Sequence, residues 1–148
     1  MKNLTAALLL FFVAFCARIV IAQENADETM IKEVINKAYI EGIQNQGNIE
    51  DIRNGFHPGF DLLMMRNNSL SKLPIYTWLE TIERRKTENP SGPAAKTSVK
   101  FLMIDITGNA AVAKIELHRE EKLIFTDYLS LYRFEEGWKI VSKIYYQH

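Results

Sequence analysis

Apolar residues recur at three- and four-residue steps in three segments, the spacing of an amphipathic helix. The first predicted helix begins near residue 26, with Asp27 as its N-cap, and ends at Gly47. The second covers residues 49–56 and stops at a His-Pro-Gly sequence, and the third covers residues 75–87. Each segment therefore predicts a helix that buries one face. The stripe of the first helix consists of Ile31, Val34, Ile35, Ala38, Tyr39 and Ile43.

The C-terminal half carries β-rich runs that are separated by tight turn sequences, which is typical of an antiparallel meander. A short hairpin, residues 60–66 and 70–73 around Asn67-Asn68, is predicted to precede the third helix. Helices followed by a meander predict an α+β domain. The four predicted strands of the meander are residues 97–106, 110–119, 122–134 and 138–146.

Period-two alternation assigns the two faces of these strands. The face turned to the helices is predicted to carry Ala111, Ala113, Ile115 and Leu117, then Leu123, Phe125, Asp127, Leu129 and Leu131, then Trp138, Ile140, Ser142 and Ile144. The outer face is predicted to carry Val112, Tyr128, Tyr132, Phe134, Val141 and Tyr145. That outer face is more aromatic than a surface in contact with water.

The first 22 residues have the pattern of a cleavable signal peptide, followed by a mature domain of residues 23–148. Lys2 precedes a charge-free apolar stretch, and Ala22 provides a small residue before the expected cleavage site. The apolar stretch is shorter than a membrane span of about 20 residues, and Arg18 interrupts it. An uncleaved anchor is the alternative. We expect a secreted or periplasmic protein without a stable membrane span after cleavage.

The charge and the cysteine content argue against several classes of partner and site. The chain has 18 Lys and Arg and 18 Asp and Glu; loss of Lys2 and Arg18 leaves the mature domain at a net charge of −2. We therefore expect no nucleic-acid partner. The single cysteine, Cys16, lies in the leader, so the mature domain has neither a disulfide nor a thiolate metal site. No spacing typical of a metal or phosphate site occurs, and we expect no metal and no cofactor.

The order of elements resembles the nuclear transport factor 2-like superfamily, and within it the putative lumazine-binding branch, close to SnoaL-like and ketosteroid-isomerase-like proteins. The resemblance extends from about residue 26 to the C-terminus. It implies a cone-shaped α+β barrel with a pocket between sheet and helices, and a dimer through the outer sheet face. The sequences that carry it are Phe56-His57-Pro58, Trp78-Leu79, Gly108-Asn109-Ala110-Ala111-Val112-Ala113, Phe125-Thr126-Asp127-Tyr128-Leu129 and Gly137-Trp138-Lys139-Ile140-Val141.

Asp127 is the strongest candidate for chemistry, since it lies among apolar residues on the predicted inner face. Burial favours the neutral form of a carboxyl group and thereby suits acid/base catalysis. A structural carboxylate, bonded to a helix end or to Tyr39, His57 or Trp78, is the alternative. His57 follows the second helix, where an imidazole suits proton transfer. It is otherwise a residue that bonds the last carbonyls of that helix.

Three further residues complete the candidate ligand-binding set with Asp127. Tyr39 and Trp78 are aromatic residues on helix faces that point at the sheet, where they line a pocket or simply form core. Ser142 belongs to the predicted inner face of the last strand.

Two functions follow, and the sequence leaves both open. The first is an exported domain that binds a small hydrophobic or aromatic molecule in an apolar pocket, with Asp127 near its floor. The second is a cofactor-free isomerase or dehydratase that uses Asp127 and His57 as its catalytic acid/base pair. An interaction module whose pocket is filled by its own side chains is a third option. The aromatic outer face predicts a homodimer in each case.

Overall fold

The computed structural model describes residues 26–148, so the predicted signal peptide lies outside the described residues. Helix α1 covers residues 26–44, α2 covers Ile49–Gly55 and α3 covers Ile75–Glu88. The strands are β1 Phe56–Arg66, β2 Ser69–Pro74, β3 Thr97–Thr107, β4 Ala110–Arg119, β5 Lys122–Phe134 and β6 Gly137–Gln147. Along residues 26–148, no helix is long and apolar enough to span a membrane.

The six strands form one curved sheet that stays open. Its order is β2-β1-β6-β5-β4-β3, with every neighbouring pair antiparallel except β1 and β6, which run parallel. The predicted α+β class, with three helices on a curved and mostly antiparallel sheet, is confirmed. The largest boundary difference is at β1, which begins at Phe56 rather than at residue 60, so His57 and Pro58 belong to a strand.

Residues Ile35–Gln44 of α1 are wound as a π-helix, where the sequence pattern predicts an ordinary α-helix. Backbone bonds five residues apart continue past its end, for example from Asn45 N–H to the Ile40 carbonyl at 2.9 Å. In this winding Tyr39 and Gln44 lie one above the other, whereas α-helical winding separates them around the helix. π-helical turns are rare and often occur at functional sites.

The core lies between α1, α2 and the inner sheet face. Ile31, Ile35 and Tyr39 of α1 are completely buried there, as the predicted stripe requires. The two helices touch closely: a Cβ built on Gly55 stands 2.2 Å from the Cβ of Ala38. Only glycine fits at this crossing. The inner strand positions of the same core are Ala113, Ile115, Leu117, Leu129, Leu131 and Ile140.

A bulge in β6 overturns part of the predicted face assignment. Ser130 pairs with Ser142 but Leu131 pairs with Ile140, so Val141 is the extra residue. An extra residue reverses the alternation beyond it. Lys143 is therefore buried at 5% exposure, whereas Ile144, predicted to face inward, is 50% exposed.

The composition of the outer face changes accordingly. Tyr145, predicted to lie there, turns inward and packs edge-on against the Phe125 ring at 5.6 Å between centroids. Ile144 and Tyr146 take its place on the outside. We define the outer apolar face by its exposed apolar side chains: Met103, Val112, Tyr128, Tyr132, Ile144 and Tyr146.

Asp27 fixes the start of α1 to the β5–β6 hairpin. Its carboxylate accepts two hydrogen bonds from Arg133 Nη1, at 2.9 and 3.0 Å, and one from Trp138 Nε1 at 3.0 Å. The carboxylate is nearly fully buried. Asp27 lies within the first turn of α1 rather than at its N-cap, and it joins the helical layer to the last hairpin.

Candidate functional site

The buried polar centre of the domain consists of three side chains: Asp127 on β5, Lys143 on β6 and Tyr39 on α1. We call it the Asp–Lys–Tyr cluster. Tyr39 Oη donates to Asp127 Oδ2 at 2.6 Å, and Lys143 Nζ donates to Tyr39 Oη. Lys143 Nζ also lies 3.0 Å from Asp127 Oδ1 as an ion pair, without an aligned hydrogen bond to that oxygen. Asp127 and Tyr39 are completely buried, so each group depends on the other two.

The β6 bulge is what creates this cluster. Without the extra residue at Val141, Lys143 would face outward and Asp127 would be a buried carboxylate without a cation. A lone buried ion of this kind is strongly unfavourable. The ammonium also lies against three aromatic rings, at 4.7 Å from the Tyr39 centroid, 4.9 Å from that of Tyr145 and 5.8 Å from that of Phe125.

Burial changes the acidity of two members of the cluster. Desolvation raises the pKa of Tyr39 well above its usual value, and the neighbouring Asp127 charge raises it further. Desolvation lowers the pKa of Lys143, partly offset by the charge of Asp127. Near neutral pH Tyr39 is therefore a neutral phenol that donates its only proton to Asp127.

Gln44 links the Asp–Lys–Tyr cluster to a cavity at the end of α1. Its Nε2 donates to Tyr39 Oη at 3.2 Å, across the π-helical turn. Gln44 also lines a cavity of about 190 Å³, which we call the Trp78 cavity. The remaining residues that line it are Ile43, Gln46, Trp78, Ile82, Arg85, Pro93 and Arg119.

The wall of the Trp78 cavity is held by hydrogen bonds and ring contacts. Asn45 bonds both backbone groups of Thr97, at 2.8 and 3.1 Å, and so joins the end of α1 to the start of β3. Arg119 Nη2 donates to the Thr97 hydroxyl at 3.1 Å. Trp78 stacks on Phe60 with 6.1 Å between ring centroids. The indole and one guanidinium are thus positioned by the fold.

The structure brings together some of the predicted site residues and separates others. Tyr39 and Asp127 are in direct contact, and Trp78 packs edge-on to Tyr39 at 6.3 Å between centroids. His57 is not among the contacts of Asp127. Its Nδ1 accepts the Gly59 N–H at 3.0 Å and its ring stacks on Phe134 at 4.7 Å. Ser142, predicted to face inward, is turned to the outer side by the bulge.

Four functionally interesting residues were not identified from the sequence. Strict alternation places Lys143 on the outer face, so the sequence does not indicate its burial. Gln44 comes into reach of Tyr39 only through the π-helical winding. Arg85 sits in a basic run at the end of α3, where the helix dipole offers a simpler explanation, and Arg119 ends a strand. No local signal distinguishes these residues.

The geometry favours a structural role for Asp127 over a role in proton transfer. Tyr39 Oη donates one hydrogen bond and accepts two, from Lys143 and Gln44, which uses its full capacity. The carboxylate is covered by the phenol and the ammonium. The space around Asp127, where the sequence predicts a pocket floor, is thus filled by the chain's own side chains, and free volume occurs beyond Gln44.

Comparison with known proteins places this arrangement in a family. The model of the family described as putative lumazine-binding matches residues 26–146. No curated protein matches the chain in sequence.

Three solved structures show the same fold. A nuclear transport factor 2-like protein of unknown function from Shewanella baltica is 26% identical, with a TM-score of 0.64, over 83% of this chain and 94% of that one. One from Methylobacillus flagellatus is 25% identical, with a TM-score of 0.61, over 83% and 93%. One from Silicibacter pomeroyi, 16% identical with a TM-score of 0.63 over 86% and 98%, shows the fold alone. The chain belongs to the putative lumazine-binding family of the nuclear transport factor 2-like superfamily.

Proposed function

We propose that this protein is a small-molecule-binding domain whose ligand enters the Trp78 cavity. In this proposal the Asp–Lys–Tyr cluster holds Gln44 in place and takes no part in proton transfer. The observation that carries the proposal is the Gln44 side chain, which bonds the buried Tyr39 hydroxyl and also lines the cavity. A buried network of this kind fixes the orientation of a binding residue.

Cavity shape and chemistry support binding. Small-molecule sites are concave and carry a few fixed polar groups, and this cavity exposes more polar than apolar surface. Ile43, Ile82 and Pro93 supply apolar walls, Trp78 supplies an aromatic surface and Gln44 supplies a positioned amide. The volume of about 190 Å³ is smaller than the roughly 300–1,000 Å³ of most ligand pockets. It fits a ligand of about one ring better than a large one.

The acid/base alternative has weaker support. Its two catalytic residues would be Asp127 and His57, but Asp127 is closed in by Tyr39 and Lys143, and His57 packs on Phe134. A general base must come within hydrogen-bond reach of its substrate. Catalysis at Asp127 would therefore require displacement of both partners.

Indole N–H resonances provide the test. The chain has two tryptophans, Trp78 at the cavity and the buried Trp138, whose Nε1 donates to Asp27. We expect lumazine, the ligand in the family description, or members of a small aromatic fragment library, to shift the Trp78 indole signal and leave that of Trp138 in place. A Trp78→Phe variant assigns the two signals.

Two results would contradict the binding proposal. In one, no compound moves the Trp78 signal at millimolar concentration. In the other, a bound compound moves the side-chain signals of Tyr39 and Lys143 while Trp78 stays unchanged, which would favour chemistry at Asp127.

Export is a separate part of the proposal. It rests on the sequence pattern of residues 1–22 alone, with a mature chain that starts at Gln23. Intact mass of the protein from the secreted or periplasmic fraction should lack those 22 residues. Full-length chain in the membrane fraction would contradict it.

We also propose that the outer apolar face pairs with a second copy of the chain. Its tyrosines suit such a contact, because aromatic rings bury much area with few rotatable bonds. Lys114 and Glu116 lie side by side on this face of β4, so a two-fold axis can oppose unlike charges. Sedimentation at micromolar concentration should give twice the mature mass. A monomer, or a Tyr132→Glu variant that sediments unchanged, would rule the dimer out.

A further inference from the structure

Two arginines whose guanidinium groups have no carboxylate partner line the Trp78 cavity. The Arg85 guanidinium forms no hydrogen bond or ion pair with any residue of the described chain, and the Arg119 guanidinium bonds only the Thr97 hydroxyl. Three other arginines of the described chain pair with carboxylates, and the exposed Arg66, which does not line the cavity, does not. Arg53 contacts Glu50 and Glu83, and Arg133 contacts Asp27.

The cavity wall also lacks acidic side chains: none of the residues that line it is Asp or Glu. Arginine stays charged at any physiological pH. Both arginines are exposed to solvent, and their free guanidinium donors are available to an anion at the cavity. A guanidinium also binds carboxylate or phosphate oxygens with paired, charge-assisted hydrogen bonds.

A third group at the cavity, the side-chain oxygen of Gln46, lacks a hydrogen-bond donor. Gln46 Oε1 is buried and has no hydrogen-bond partner among the described residues. An unsatisfied buried acceptor is unfavourable unless a ligand or water supplies the donor. Gln46 also holds a positive φ of 56°, which is uncommon for a residue other than glycine. Such conformations persist where the surrounding structure imposes them, often at ligand contacts.

From these observations we infer that the ligand of the Trp78 cavity is a small aromatic carboxylate with an N–H or O–H donor on its ring. Arg85 and Arg119 bind the carboxylate, Trp78 packs against the ring and Gln46 accepts the donor. The volume of about 190 Å³ accommodates a single ring with its substituents. This inference rests on the proposed function and adds the chemical class of its ligand.

The experiment compares benzoate with benzamide, its neutral counterpart, by the shift of the Trp78 indole signal in the mature chain. Benzoate should bind at least tenfold more tightly, and added NaCl should weaken only benzoate. Each of Arg85→Gln and Arg119→Gln should weaken benzoate about tenfold, as expected for one charge-assisted contact. Arg119→Lys keeps the charge but loses the paired geometry, so its affinity for benzoate should lie between that of the parent and that of Arg119→Gln.

Arg84→Gln is the matched control. Arg84 is the neighbouring arginine on α3, points to Glu88 at 3.9 Å and does not line the cavity. Its loss removes the same charge from the protein and should leave benzoate affinity unchanged. If Arg84→Gln weakens benzoate as much as Arg85→Gln does, general electrostatic attraction explains the binding and the inference fails.

A second comparison tests whether Gln46 accepts a hydrogen bond from a donor on the ring of the ligand. 4-Aminobenzoate should bind several-fold more tightly than benzoate, and Gln46→Asn, a residue that tolerates positive φ, should remove that preference.

The outcomes separate the inference from the proposed function. Equal affinity for benzoate and benzamide, or no shift of Trp78 by benzoate at millimolar concentration, overturns the inference. The proposed function falls only if lumazine and the neutral fragments fail to shift Trp78 as well.

Discussion

Removal of either charge from the Asp127–Lys143 pair should destabilise the domain severely. Lys143 Nζ and Asp127 Oδ1 are 3.0 Å apart, with side chains 6% and 0% exposed, so solvent does not screen them. Loss of one partner leaves the other charge buried and unpaired, which costs about 3–5 kcal/mol. That is a large part of the total of about 5–15 kcal/mol that holds a small domain folded. Asp127→Asn and Lys143→Met are the two single variants.

The double variant is the decisive one. Without either charge no ion remains to be desolvated, so the double variant should lose only about 1–3 kcal/mol, the cost of the unsatisfied polar groups around Tyr39. The coupling between the two sites should therefore reach at least about 3 kcal/mol. Urea unfolding followed by circular dichroism gives each free energy of unfolding.

An exposed pair of the same kind is the control. Lys72 and Asp61 lie 3.2 Å apart on β2 and β1, with side chains 65% and 29% exposed. Lys72→Met and Asp61→Asn should each cost at most about 1 kcal/mol, with little coupling. If the buried variants behave like these exposed ones, the account of the Asp–Lys–Tyr cluster as a buried, interdependent unit is refuted.

Two more predictions follow from the same contacts. Because burial lowers the pKa of Lys143, the unfolded chain holds more protons than the folded one between the folded pKa and about 10.4, and the free energy of unfolding should rise with pH there. The raised pKa of Tyr39 acts oppositely: its contribution is complete below about pH 10 and is lost above it. The urea midpoint of the parent should rise with pH between pH 7 and 11, and that of Lys143→Met should not. A parent whose midpoint does not rise would contradict the lowered pKa of Lys143. Asp27→Asn should cost about 2 kcal/mol by weakening the bonds from Arg133 and Trp138; a loss under about 0.5 kcal/mol would show that Asp27 does not fix the hairpin.

The architecture could be predicted because each element is locally consistent. The stripe on α1 and the alternation on β4 and β5 each identify the buried face, and turn sequences mark the boundaries. Asp127 was correctly placed inside for this reason. The open edge of the sheet and the parallel contact of β1 with β6 depend on contacts distant in sequence, which local patterns do not encode.

The site could not be predicted in the same way, because two local irregularities build it. The extra residue at Val141 turns Lys143 inward and Ser142 outward. The π-helical turn places Gln44 beside Tyr39. Both depend on packing in the whole domain: once Asp127 is buried, a cation beside it is favourable. A strict period of two or 3.6 residues cannot indicate either irregularity.

The central claim is that a ligand binds beyond Gln44 while the Asp–Lys–Tyr cluster stays closed. A crystal structure of the mature chain with benzoate tests it most directly. The account predicts benzoate against Trp78 with its carboxylate on Arg85 and Arg119, while Asp127 keeps its contacts to Tyr39 and Lys143. Benzoate in contact with Asp127, with Tyr39 or Lys143 displaced, would contradict the account.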